Sequence, residues 1–99
     1  MVIEQMQEGE VLRIAPSGSL DTVNTPEFQR VVISAFQKSN KVTIDLDNVA
    51  YVSSAGLRAF LLGQKTADSK QAEFVIINVN ESVMSVFKMS GFSELLNIK

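Results

Sequence analysis

Two adjacent hydroxyls, Ser53 and Ser54, are the residues of this chain best placed for chemistry. They stand where the apolar run from Val49 to Val52 gives way to Ala55-Gly56-Leu57-Arg58, after which Leu57, Phe60 and Leu61 recur at helical spacing. A serine at such a junction lies at a helix N-terminus, where backbone N–H groups lack intrahelical partners and the dipole is positive. Either hydroxyl can cap the helix, and a phosphate added to either would meet a receptive field. Nucleophilic attack is the third chemistry open to a serine here. The elbow it needs reads G-x-S-x-G, and only its second glycine, Gly56, is present.

Nothing else in the chain supports catalysis. There is no histidine and no cysteine, which removes Ser-His and Cys-His pairs, thiolate redox chemistry and an ordinary zinc site built from this chain alone. A small hydrolase using Ser54 would need a lysine base, and no spacing points to one. The five glycines, Gly9, Gly18, Gly56, Gly63 and Gly91, are scattered, so neither a phosphate-binding loop nor a dinucleotide fingerprint is formed. No bound cofactor or metal is expected, and no enzymatic activity.

The elements around the serines follow from periodicity. Val2 to Met6 alternates, Glu8-Gly9-Glu10 turns, and Val11 to Ala15 runs back, which predicts a β-hairpin. Pro16 suggests a sheet edge, a strand end or a bulge, and Gly18-Ser19-Leu20-Asp21 leads out of the sheet. At Asn24-Thr25-Pro26-Glu27 a helix begins, with Thr25 able to cap it and Pro26 suited to its first turn. Phe28, Val31, Val32, Ala35 and Phe36 form its buried stripe. Val42 to Leu46 reads as a strand, then comes the serine junction and a helix from about Ser54 to Asp68 with a core face of Leu57, Phe60, Leu61 and Gln64. Phe74 to Ile77 reads as a strand buried on both faces. A third helix starts at Asn80-Glu81-Ser82 and stops at Gly91, and Leu95 to Ile98 closes the chain as a strand. The resulting order, β-β-α-β-α-β-α-β, predicts a single α/β domain over residues 1–99, with a mixed, mostly parallel five-stranded sheet, an N-terminal antiparallel hairpin and three helices.

Composition narrows the partners. A chain of 99 residues, 45% apolar and 20% charged, is an ordinary globular domain able to bury a core. Nine basic against eleven acidic residues, with no basic cluster, argue against nucleic-acid binding. Met1 to Gln7 has no basic residue ahead of an apolar run, and no stretch approaches the ~20 apolar residues of a membrane helix. A soluble cytoplasmic protein, without membrane insertion, is the expectation, and its partner another protein or a small ligand.

On local chemistry alone, Ser53 or Ser54 is a helix cap, Asp21 closes an Asx turn, and Arg58, four residues after Ser54, is either a phosphate or partner contact or a solvated helix-face residue. A resemblance adds to this. The hairpin, the Gly18-Ser19-Leu20-Asp21 segment before a Pro-Glu helix, the strand Val42 to Leu46 and above all Ser53-Ser54-Ala55-Gly56-Leu57-Arg58 resemble the STAS family of anti-sigma factor antagonists, from Val11 to Ile98. That family carries the pattern Asp-Ser-Ser/Ala-Gly-Leu, whose first serine is phosphorylated by an ATP-dependent anti-sigma serine kinase and dephosphorylated by a PP2C-type phosphatase. By position the resemblance implies Ser54 as phospho-acceptor. Ser53 occupies the place where the pattern often has aspartate, which leaves Ser53 as the alternative acceptor. Asp21 matches the aspartate of the neighbouring loop, and Asp21, Ser53, Ser54, Ala55, Gly56, Leu57 and Arg58 together match the partner-binding face. The implied function is an anti-sigma factor antagonist that binds the kinase when unphosphorylated and so releases a sigma factor. The alternative is a STAS regulatory subunit that docks on an ATPase of a lipid-transport or stress-signalling complex.

Overall fold

The computed structural model describes residues 1–99. Its sheet is organised by one long strand. β1 (Val2–Glu8) and β2 (Val11–Leu20) form the antiparallel hairpin, with Val2 opposite Ser17 and Glu8 opposite Val11. Gly9, at φ +63°, supplies the left-handed residue that a two-residue turn demands. Along its other edge β2 meets two strands in succession. β3 (Lys41–Asp45) pairs in parallel with Val11 to Ile14, and β4 (Val49–Val52) pairs in parallel with Gly18 to Leu20. Pro16 falls in the interval between them, where β2 has left one neighbour and not met the next, so its missing N–H interrupts neither parallel ladder. A bulge at Gly18/Ser19 follows, with Gly18 at φ +106°. β5 (Glu73–Ile77) lies beside β3, and β6 (Asn97–Ile98) beside β5, both parallel.

The sheet therefore has six strands rather than the expected five. The unexpected one is β4. Its residues are buried, exposed, exposed, buried, because the bulge opposite them breaks the period of two by which a strand is recognised. β2 also runs on to Leu20, past the expected end at Ala15. The closing strand is shorter than expected: Phe92–Glu94 form a turn of 3₁₀ helix, and only Asn97–Ile98 pair with β5.

Three helices, α1 (Thr25–Lys38), α2 (Ser54–Lys70) and α3 (Glu81–Met89), cover one face of the sheet. After β2, the path β2 to β3 to β5 to β6 advances in one direction, and right-handed crossovers then put every helix on the same side. Leu12, Ile14, Val42, Ile44, Phe74 and Ile76 face the helices and are buried. Phe60 of α2 joins the helical layer: its ring lies 5.4 Å from Phe28 of α1 and 5.4 Å from Phe87 of α3, the latter edge-on. On the opposite face Val11, Ala15, Thr43, Val75 and Ile77 are only half-buried, since no element packs over them. That corrects the expectation for Phe74 to Ile77, which is buried on one face and not on both.

Two further expectations change. The stripe of α2 that meets the sheet is Gly56, Ala59, Phe60, Gly63 and Ala67, while Leu57, Leu61 and Gln64 are half-buried beside it. Small residues carry this contact because the helix lies close: a Cβ on Gly63 would stand 2.7 Å from Phe74 Cζ. Thr25 does not cap α1; it is the first helical residue, preceded by Asn24, and no side chain caps the helix at that position.

The open face of the sheet holds an ionic cluster in which the carboxylate of Asp45 is buried and the guanidinium of Arg13 half-buried. Asp45 accepts hydrogen bonds from Arg13 (2.6 and 3.1 Å), from Asn78 Nδ2 (3.0 Å) and from the Asp47 amide (3.0 Å), tying together β2, the end of β3, the turn into β4 and the residue after β5. Burial by itself raises the pKa of this carboxyl, but the bonds from Asn78, Arg13 and Asp47 together with the Arg13 charge outweigh it and hold the group below its ordinary 3.8. A depressed folded-state pKa means that the contribution is complete above the unfolded value and is lost as pH falls through the folded one. Urea unfolding from pH 5 downward is therefore expected to show a steeper loss of stability in the parent than in Asp45→Asn. Parallel curves would contradict this account.

Candidate functional site

Leu20 is the last residue of β2, and its carbonyl oxygen is the point at which the site is assembled. It accepts the Ser53 amide (2.9 Å) and the Ser53 hydroxyl (3.0 Å), so the end of β2 and the entry of α2 are held together by one acceptor. Ser53 Oγ also accepts from the Gly56 amide (3.3 Å), which makes Ser53 the N-cap of α2. Gly56 is buried beneath this cap, and Leu57 is half-buried after it, its amide bonded to the Ser53 carbonyl (2.9 Å).

Ser54 differs from its neighbour in every respect that matters for modification. It is the first residue of α2, it is exposed, and its hydroxyl makes no hydrogen bond within the chain. α1 and α3 carry acidic residues in their first turns, Glu27 and Glu81, whereas α2 carries none. The positive end of the longest helix is thus left without an anionic complement, beside a free hydroxyl. Ala55 is half-buried, and Arg58 is exposed on the same helix, one turn on from Ser54.

Asp21 follows Leu20 directly. Its Oδ1 accepts the amides of Val23 (3.0 Å) and Asn24 (2.9 Å), and its carbonyl accepts the Thr25 amide (2.9 Å). This is an Asx turn that shapes the loop leading into α1. Asn24 Nδ2 reaches back to the Ser19 carbonyl (3.0 Å) and fastens the same loop to β2, while Val23 projects from it, 84% exposed. The loop and the start of α2 share the end of β2 as their support. Asp21, Ser53, Ser54, Ala55, Gly56, Leu57 and Arg58 are accordingly brought to one end of the molecule, with Gly56 inward and Ser54 and Arg58 outward.

Sequence reading did not single out Val23, Thr22 or Asn80 as parts of this end. Asn80 has two tasks there: Oδ1 caps α3 at the Val83 amide (2.9 Å), and Nδ2 donates to the Val49 carbonyl of β4 (2.9 Å). Its capping role was legible, but the second bond spans 31 positions and has no local signal. No group of three His, Cys, Asp or Glu side chains is placed to hold a metal ion, and no helix is long and apolar enough to cross a membrane.

Comparison with known proteins agrees with this fold. A family model described as "STAS domain" matches residues 3–99. An anti-sigma-B factor antagonist of Staphylococcus aureus (strain NCTC 8325 / PS 47) is 25% identical over 97 residues, which cover 97% of this chain and 90% of that protein. Among solved structures, a candidate anti-sigma factor antagonist from Thermotoga maritima superposes with a TM-score of 0.90 at 20% identity, over 97% of this chain and 84% of the other. The phosphorylated form of SpoIIAA, a Bacillus cell-fate determinant, superposes with a TM-score of 0.75 at 17% identity, over 99% of this chain and 91% of the other. These likenesses extend over nearly the whole chain and concern its fold.

Proposed function

The chain belongs to the STAS-domain family, and we propose that it is an anti-sigma factor antagonist switched by phosphorylation of Ser54. With Ser54 unmodified it binds an anti-sigma serine kinase and so frees a sigma factor; the kinase phosphorylates Ser54 and is released, and a PP2C-type phosphatase resets the chain. It acts as a binding module and kinase substrate in the cytoplasm, not as an enzyme.

One observation carries the choice of residue. Of the two adjacent hydroxyls, Ser53 is engaged as donor to Leu20 and acceptor from Gly56, whereas Ser54 is exposed and unbonded. Phosphorylating Ser53 would remove a cap worth about 1 kcal/mol and force a dianion against the Leu20 carbonyl. On Ser54 a phosphate of about −1.5 to −2 charges is accommodated at the helix N-terminus, and the domain need not rearrange. The curated relatives named as anti-sigma-B factor antagonists support the identity of the partner.

The test is incubation with an anti-sigma serine kinase and ATP, followed by mass spectrometry of the peptide containing both serines. Phosphate is expected on Ser54, absent in Ser54→Ala and retained in Ser53→Ala, although Ser53→Ala should melt lower for want of its cap. Phosphate on Ser53, or none on either residue with a kinase that binds the chain, would overturn this assignment.

A further inference from the structure

β1 is an edge of the sheet, bonded to β2 along one side and open along the other. Edges are commonly blunted by a bulge, a proline, a lysine or a very short strand. β1 has none of these: it is seven residues long, contains neither proline nor lysine, and pairs with β2 without a shift from Val2 to Glu8. The opposite edge, β6, is two residues long. Gln5 and Gln7 share the face of their partners Ile14 and Leu12, toward the helices, yet both are exposed, so no helix overhangs the open edge. The turn decides which backbone groups point outward. Glu8 and Val11 flank the two-residue turn Gly9-Glu10 and so form a hydrogen-bonded pair, after which bonded and unbonded pairs alternate. Val2, Glu4, Met6 and Glu8 therefore bond to β2, while the N–H and C=O groups of Ile3, Gln5 and Gln7 face away from it. Pro16, which has no N–H to give, falls opposite Ile3 in an unbonded pair, as this phase requires.

We propose that β1 pairs antiparallel with β1 of a second copy of this chain, with Gln5 on the twofold axis, so that the two sheets become one. The phase allows only registers that set Ile3, Gln5 and Gln7 against one another, and charge selects among them. An axis at Glu4 would set that residue against its own copy, and an axis at Met6 would set Glu4 against Glu8. With the axis at Gln5, Glu4 faces Met6, Glu8 faces Val2 and Ile3 faces Gln7, so no two glutamates are opposed. Axes nearer either end of the strand pair fewer residues. The central register exchanges about six backbone hydrogen bonds, and the two copies of Met6 become diagonal neighbours across the axis. Val2 and Met6, 65% and 52% exposed in the single chain, are then each covered by an opposing glutamate side chain. The strand is in this sense complementary to itself, which is what points to a second copy as its occupant.

The contact is small. A standard interface engages about 20–30 residues on each side, so a single pair of strands gives a weak dimer, with a dissociation constant on the order of 100 μM. β2 stands between this edge and β4, which leads into Ser54, so the pairing is independent of the proposed switch.

Sedimentation of the unmodified chain from about 10 μM to about 1 mM is expected to show its mass moving from one chain toward two. Met6→Glu sets two pairs of glutamates face to face across the axis and should weaken the dimer about tenfold. Within its own hairpin the new carboxylate stands opposite Arg13, so the strand keeps its place. Adding Glu4→Lys to Met6→Glu should restore dimerisation to within about threefold of the parent, because each new lysine then faces a new glutamate of the other copy. That recovery is specific to the register: an axis at Glu4 would oppose two lysines, and an axis at Met6 two glutamates. Amide hydrogen exchange of the parent gives a second measurement that needs no variant to fold. Protection is expected to rise with concentration at Ile3, Gln5 and Gln7 and to stay constant at Glu4 and Met6, which are already bonded to β2. A chain that stays single at the highest concentration, a dimer indifferent to Met6→Glu, no recovery in the double variant, or protection gained on the open face of the sheet instead of at these three amides would each overturn the proposal.

Discussion

Gly56→Ala is expected to lower the stability of the chain by about 1–2 kcal/mol and to abolish partner binding, although alanine is the better helix former. The added Cβ would stand 2.8 Å from the Leu20 carbonyl oxygen, 2.9 Å from Val52 Cγ1 and 3.1 Å from Leu20 Cβ. Overpacking of this kind costs about 1–3 kcal/mol, occasionally more, and the gain in helix propensity offsets about 1 kcal/mol of it. What makes the site unforgiving is the identity of the obstacle. The Leu20 oxygen is backbone, and it already accepts both the amide and the hydroxyl of Ser53, so it cannot retreat without undoing the cap that orients Ser54. Gly63→Ala is the control. Its Cβ would meet the ring of Phe74 at 2.7 Å, also a destabilising contact, but at the middle of α2 and remote from the serines. Urea unfolding and a binding titration on both variants separate the two glycines: stability and binding fall together for Gly56→Ala, whereas Gly63→Ala loses stability and keeps its affinity. A Gly56→Ala chain as stable as the parent would show that α2 can lift away from β2 at little cost.

The same close approach explains what the sequence revealed and what it hid. The serine junction was legible because a cap is local: Ser53 reaches Gly56 three residues on, and the pattern of small residue, glycine and leucine follows within one turn. The buried stripe of α1 was legible because Phe28, Val32 and Phe36 are large and apolar. α2 concealed its buried side, since Gly56, Ala59, Gly63 and Ala67 carry no hydrophobic signal and owe their burial to the short distance between helix and sheet. β4 was concealed for a related reason, its alternation having been broken by a bulge on a different strand. Asp45 reads in sequence as the polar side of a half-exposed strand; its burial depends on Arg13, 32 positions earlier, and on Asn78, 33 positions later. That Ser53 is the engaged hydroxyl of the two was likewise hidden in the sequence, because the acceptor that occupies it is the carbonyl of Leu20, contributed by the end of another strand.

Ser54→Asp is expected to weaken binding to an anti-sigma serine kinase on the order of 100-fold, about 2.7 kcal/mol, while Ser54→Ala stays within about threefold of the parent. The size of the first effect follows from desolvation. A charge carried into a closely packed interface without a partner costs several kcal/mol, and aspartate brings one charge where phosphate brings nearly two, so the substitution should reproduce the direction of the switch and only part of its magnitude. The small size of the second follows from the exposed, unbonded hydroxyl, whose removal takes away no contact within the chain. Stability should move the opposite way. An anionic side chain in the first turn of α2, which has none, interacts favourably with the helix dipole by about 0.3–1 kcal/mol. Ser54→Asp is therefore expected to melt at or slightly above the parent temperature while binding far more weakly, a combination that misfolding cannot produce. Calorimetric titration alongside thermal melting reads both quantities on the same samples. Equal affinities for Ser54→Ala and Ser54→Asp would rule out a charge switch at this position, and a lowered melting temperature in Ser54→Asp would show that the helix end does not accept the charge. Under the proposed switch, an interface that rejects a charge which the free domain welcomes would let phosphorylation release the partner without refolding the chain.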